Sequence, residues 1–178
     1  GTASQPITFT SRLAADGNTG QYWMGLWAKQ GSTLHLDRCD ISYASDTNFG
    51  LGGLEINTDT AEVSNCHIHH NTQNGLYLYS RNGSTIHPIL ENVDVTDNGQ
   101  AGVFLATSAA STLSVTWEGG SISRNGYSGV VDSVWNETIY PTLRNLTISG
   151  NGLLGAYDDR KRGIAFNDHN VNPVLENI

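Results

Sequence analysis

Apolar residues along this chain alternate with others over short stretches and then break at Asn, Gly or Asp. Cys66 and Ile68, Leu76 and Leu78, Val93 and Val95, and Val103 and Leu105 each flank one intervening residue. A period of two marks a strand with one buried face. No segment keeps the 3.6-residue period of a helix. The pattern therefore predicts many short strands separated by turns.

The strands come in copies. Val63-Ser64-Asn65-Cys66-His67-Ile68-His69-His70-Asn71 matches Leu90-Glu91-Asn92-Val93-Asp94-Val95-Thr96-Asp97-Asn98. Trp117 to Asn125 and Leu143 to Asn151 repeat the same string. The closing asparagines stand at 71, 98, 125 and 151, spacings of 27, 27 and 26. Four residues after each comes a glycine with a small or apolar residue: Gly75-Leu76, Gly102-Val103, Gly129-Val130 and Gly155-Ala156. An earlier unit runs from Leu36 to Ala44, and another begins at Val174. No single unit can bury its own apolar face, but stacked units can, each strand pairing with its equivalent above and below. A helix-free repeat of this length predicts one coil of a parallel β-helix, about six coils in all. Cys39, Cys66, Val93, Gly120, Leu146 and Ile178 then form one interior column, and Ile41, Ile68, Val95, Ile122 and Ile148 another.

Composition agrees. Gly, Ser, Thr and Asn number 20, 16, 17 and 17 of 178 residues, rich in turn formers and poor for a helical bundle. The net charge is −8, and only Lys29 and Lys161 are lysines, so nucleic acid is not an expected partner. No run of 18 apolar residues is present, so no membrane-spanning helix is expected.

The repeat resembles the right-handed parallel β-helix proteins of the pectin-lyase fold, in particular secreted bacterial repeat proteins. Gly1 to Ser11, followed by Trp23-Met24-Gly25-Leu26, is similar to a stretch those proteins carry. The resemblance implies an all-β, single-stranded solenoid and an extracellular or cell-surface location. Both ends fall inside coils, so residues 1–178 are expected to be one β-helix domain of a longer polypeptide with further domains. The fold hosts lyases, hydrolases, adhesins and spacers, so it does not name an activity. Family hydrolases of galacturonan combine Asn-Thr-Asp, Asp-Asp, Gly-His-Gly and Arg-Ile-Lys. This chain has Asn57-Thr58-Asp59 and Asp158-Asp159, about four coils apart, and lacks the other two. Catalytic carboxylates must lie within about 10 Å of each other, so the set is incomplete.

Four groups of residues are candidates for chemistry or architecture. Asn71, Asn98, Asn125 and Asn151 mark a turn and are expected to form an asparagine ladder, their amides bonding both neighbouring coils. Cys39 and Cys66 share a column in adjacent coils; buried free thiols are favoured over a disulfide, because parallel stacked side chains suit that bond poorly. His67 and His69 project from one outer face, with Asp40 one coil before and Asp94 and Asp97 one coil after. Two histidines at alternate strand positions with a carboxylate are a candidate transition-metal site (Asp40, His67, His69, Asp94) or acid–base site (His67, His69, Asp94, Asp97). Ca²⁺ is a further possible cofactor, as a bridge to polyanionic glycans. Finally, Trp27, Glu55, Tyr77, Phe104 and Val131 form an outward column. Its aromatic residues, expected to be exposed on a strip about 15 Å long at ~4.8 Å per coil, could stack on sugar rings. The alternative is coverage by segments 107–116 and 132–141. The leading expectation is a non-catalytic carbohydrate-binding or adhesive module for polysaccharide, neutral more readily than polyanionic. A polysaccharide lyase or glycoside hydrolase and a structural spacer are the rivals.

Overall fold

The computed structural model describes residues 1–11, 23–45, 52–134, 137–153, 162–167 and 170–178. The chain is an all-β parallel solenoid wound right-handed, with no helix among the described residues. Every pairing between named strands is parallel, and eight of the sixteen pairings step by 27 residues. About four turns are complete, with partial coils beyond them, fewer than the six expected.

Three sheets form the wall. The largest has ten strands in two rows that meet at a corner. One row holds β3 (Thr33–Asp37), β6 (Thr60–Ser64), β16 (Thr142–Arg144) and β19 (Val174–Glu176). The other holds β1 (Ile7–Phe9), β4 (Cys39–Ser42), β7 (His67–His69) and β17 (Thr147–Ser149). β10 (Ile89–Thr96) and β13 (Thr116–Ser123) run continuously through both rows. The second sheet stacks β2 (Leu26–Ala28), β5 (Gly52–Ile56), β8 (Asn74–Ser80), β11 (Val103–Thr107), β14 (Val130–Val134) and β18 (Ile164–Ala165). The third is short: β9 (Thr85–Ile86), β12 (Thr112–Leu113) and β15 (Thr138–Ile139).

The interior columns follow strand alternation. Ile41, Ile68, Val95 and Ile122 are fully buried, as are Leu54, Leu76 and Val103 on the opposing sheet. The column containing Cys39, Cys66, Val93 and Leu146 is likewise buried, whereas Ile178, in the outermost coil, is 50% exposed. Gly120 stands directly beside Val93 at φ +98°; a Cβ there would meet the Val93 carbonyl oxygen at 2.2 Å, which accounts for the glycine in an apolar column.

The asparagines stack through the interior. Asn71 donates its backbone N–H and its side-chain amide to Asn98 Oδ1 at 3.1 and 2.9 Å. Asn98 does the same to Asn125 at 3.0 and 2.9 Å, and Asn125 to Asn151 at 3.0 and 2.9 Å. Each amide also reaches a carbonyl of the coil before it, Asn98 to Ile68 and Asn125 to Val95. The glycine four residues on makes room for this stack: a Cβ on Gly75 would lie 2.5 Å from Asn98 Nδ2, and one on Gly102 2.7 Å from Asn125 Nδ2.

Two expectations are corrected by the fold. The described residues of segments 107–116 and 132–141 do not fold back over the aromatic column. They build the third sheet, because Leu113, Val115 and Ile139 are buried in the core. Gly155-Ala156 and Asp158-Asp159 lie outside the described residues, and Val130–Val131 pair instead with Ile164–Ala165. The last coil is accordingly longer, Arg144 pairing with Glu176, 32 residues on.

Candidate functional site

Strand β7 turns Ile68 into the core and its two histidines outward. Register sets Asp40 beside His67 and Ser42 beside His69. His69 Nε2 lies 3.0 and 3.1 Å from the two Asp40 carboxylate oxygens, and His67 Nδ1 lies 3.8 Å from Asp40 Oδ2. The imidazoles stack with centroids 4.1 Å apart and planes 21° from parallel. Their remaining nitrogens are engaged: His67 Nε2 with the Thr96 hydroxyl at 2.9 Å, His69 Nδ1 with His70 Nδ1 at 2.7 Å. His70 in turn stacks on Tyr43 at 5.5 Å. Asp40, His67 and His69 are the one set of three ligand-bearing residues that converges among the described residues, their ligand atoms lying within 4.8 Å of one another.

Asp94 and Asp97 stand apart from that set. Asp94 pairs with His67 in register, but its carboxylate accepts a 2.6 Å bond from Ser121. Asp97 accepts two bonds from Arg124, at 2.8 and 2.6 Å, which hold its carboxyl below the usual range. Both therefore act on the histidines only at a distance. Burial and the neighbouring His69 lower the His67 pKa, against the opposing pull of Asp40, Asp94 and Asp97. A groove of about 420 Å³ opens beside the cluster, between residues 2–6 and the side chains of Arg38, Asp40, Asn65 and His67.

The outward column of the second sheet is in the expected register, Trp27 beside Glu55, Glu55 beside Tyr77, Tyr77 beside Phe104. Its exposure is not as expected. Trp27 is 42% exposed with the Lys29 ammonium 4.3 Å over its ring, but Glu55 is 5% and Tyr77 7% exposed. The Tyr77 ring packs on Tyr79 at 5.6 Å and Phe104 at 5.5 Å, and burial raises its pKa. Alternation sets the direction of a side chain from the wall, not what lies over it. An uninterrupted aromatic strip is therefore absent.

Phe104 instead borders a groove of about 330 Å³. Tyr127 lines it as well, together with Asn74, Gln100, Ser128 and Asn167. Residues 73, 100 and 127 are successive positions of one turn, stacked by Gln100 N–H to Gln73 O at 3.1 Å and Tyr127 N–H to Gln100 O at 3.0 Å. Sequence reasoning missed this rim, although the same 27-residue spacing carries it.

The remaining candidates are architectural. Asn57 and Thr58 are buried and bonded to the carbonyls of Tyr79 and Ser32, while exposed Asp59 pairs with His87 at 2.7 Å. Cys39 and Cys66 are free and buried, Cys66 donating to the Ser64 carbonyl at 3.0 Å; burial pushes its thiol up to about 11. No described helix is long and apolar enough to cross a membrane.

Compared with known proteins, the chain matches the family described as the right handed beta helix region over residues 7–178, and it belongs to that family. No curated protein and no solved structure matches it.

Proposed function

We propose that this member of the right-handed β-helix family is a non-catalytic carbohydrate-binding module of an extracellular or cell-surface protein, taking neutral polysaccharide between Phe104 and Tyr127. The observation that carries this reading is the lining of the groove: two half-buried aromatic rings among amide and hydroxyl groups, with no formally charged side chain. Sugar rings present apolar C–H faces to aromatic rings and hydroxyls to amides, and a concave site with few placed polar groups suits them. Its volume of about 330 Å³ fits a short stretch of chain. Trp27 lies three strands along the same column, roughly 14 Å at ~4.8 Å per strand. It would be a second contact for a glycan running along the solenoid axis. The net charge of −8 disfavours polyanions.

Calorimetry with soluble glucans, xylans and mannans, against polygalacturonate, tests the reading. Tyr127→Ala should weaken binding about tenfold or more, the scale of one lost stacking contact with its hydrogen bond, at an unchanged melting temperature. Tyr77→Ala should chiefly lower the melting temperature. Binding of polygalacturonate alone, or of no glycan, would overturn the proposal.

A further inference from the structure

We infer that Asp40, His67 and His69 form a binding site for a divalent transition metal of the Zn²⁺ class, clamped between two adjacent coils. Two imidazoles and one carboxylate are a donor set such ions accept, leaving at least one position for water. Ca²⁺ takes six to eight oxygens and does not suit it.

The donors stand on rigid elements. Asp40 is on β4 and both histidines are on β7, strands whose intervening residues Ile41 and Ile68 are fully buried. A tetrahedral ion with bonds of about 2.0–2.1 Å needs donors about 3.3 Å apart. The Asp40 carboxylate already stands 3.0 Å from His69 Nε2 and 3.8 Å from His67 Nδ1, and all three donor atoms fall within 4.8 Å. Opening the His67–His69 ring stack, so that both nitrogens turn toward one point beside the carboxylate, completes the geometry.

The outer nitrogens favour the same use. A metal-bound histidine is oriented by a partner on its other nitrogen. Thr96 supplies that partner for His67, and His70 for His69. When His69 donates from Nδ1 to His70, neutral His69 points a bare Nε2 at both Asp40 oxygens. That tautomer directs the Nε2 lone pair toward the space an ion beside the carboxylate would fill. Asp94 and Asp97 add negative potential nearby, and the groove beside Asp40 and His67 gives access from solvent. The exposed pairs His35–Glu62 and His87–Asp59 each have one histidine and one carboxylate, and serve as internal controls.

The test is titration of the whole chain with ZnCl₂ by calorimetry, and with Co²⁺ by absorption. One ion per chain should bind with a Kd in the micromolar range, about −8 kcal/mol at 1 μM, and raise the melting temperature. His67→Gln and His69→Gln should each weaken binding about 100-fold. Thr96→Val, which removes the orienting partner of His67 together with a hydrogen bond to Asp97, should weaken it about tenfold. His35→Gln and His87→Gln should leave it unchanged. No saturable binding up to millimolar Zn²⁺, or undiminished binding by the His67→Gln/His69→Gln double variant, would overturn the inference. If a variant loses its β-sheet circular dichroism, ring NMR of the unaltered chain decides. Zn²⁺ must then shift the His67 and His69 signals ahead of those of His35 and His87; the opposite order overturns the site.

Discussion

Two corners of each coil turn the chain through left-handed residues, and they are filled by different rules. At the first, between the two rows of the large sheet, the positive-φ residues are Arg38, Asn65, Asn92, Gly119 with Gly120, Asn145 and Asn177. At the second, before the glycine-led sheet, they are Tyr43, His70, Asp97, Arg124 and Gly150. Asn and Gly tolerate this conformation; other residues cost about 1–2 kcal/mol there. The first corner is followed by no stack of buried amides, and nearly every copy uses a tolerant residue. The second corner is followed by the ladder, whose buried amides hold the backbone from the next position. The strain is borne there because the following residue over-determines the turn. Freed from a conformational requirement, this corner carries chemically varied side chains, among them the histidine and aspartate beside the proposed metal site.

Breaking the ladder should have the largest effect. Asn98→Ala removes the acceptor of two Asn71 bonds and the donor to Ile68 and Asn125, all in the interior. A loss of about 3 kcal/mol is expected, since each orphaned buried group costs about 1–3 kcal/mol. Urea unfolding measures it, and Asn98→Gly should be no better.

The first corner should behave otherwise. Asn92→Ala should cost about 1 kcal/mol through left-handed strain, and Asn92→Gly close to nothing. Rescue by glycine at 92 but not at 98, read from the same unfolding curves, separates a conformational role from a hydrogen-bonding one. Equal costs at both would erase the distinction between the corners.

The smallest effect belongs to the Arg124–Asp97 pair. Arg124 depresses the Asp97 pKa, so the pair adds stability above the unfolded carboxyl value near 4 and loses it as pH falls through the folded value. The Arg124 side chain is 58% exposed, so solvent screens the pair and the gain is small. Arg124→Gln should therefore flatten the stability profile slightly below about pH 4 and leave the proposed metal site intact.

Much of the fold was legible because a repeated coil writes its register into the chain. The spacing of Asn71, Asn98 and Asn125 already implies the stack seen in the interior, and Cys39 beside Cys66 follows from the same count. Asn71 and its equivalents bond as amides, while the left-handed residue of the turn falls one position earlier, on His70, Asp97 and Arg124. The exposed asparagines 65, 92 and 145 occupy the other corner and gave no separate signal. In the candidate sites, the convergence of Asp40 with His67 and His69 could be read from alternation and register. The departure of Asp94 toward Ser121 could not, because side-chain torsions choose between neighbours that register makes equally near.

By itself the sequence determined the parallel solenoid, the identity of its interior columns and which residues face outward, since all of these follow from a period of two within a period of 27. Tertiary structure decided what those outward residues meet. It buried Tyr77 and Glu55, left Trp27 exposed and opened a groove between Phe104 and Tyr127. The physical reason is that periodicity governs the wall of the coil through repeated backbone bonds. Coverage of its outer surface depends on side-chain packing within and between coils, as where Tyr77 meets Tyr79 and Phe104, which backbone period does not encode.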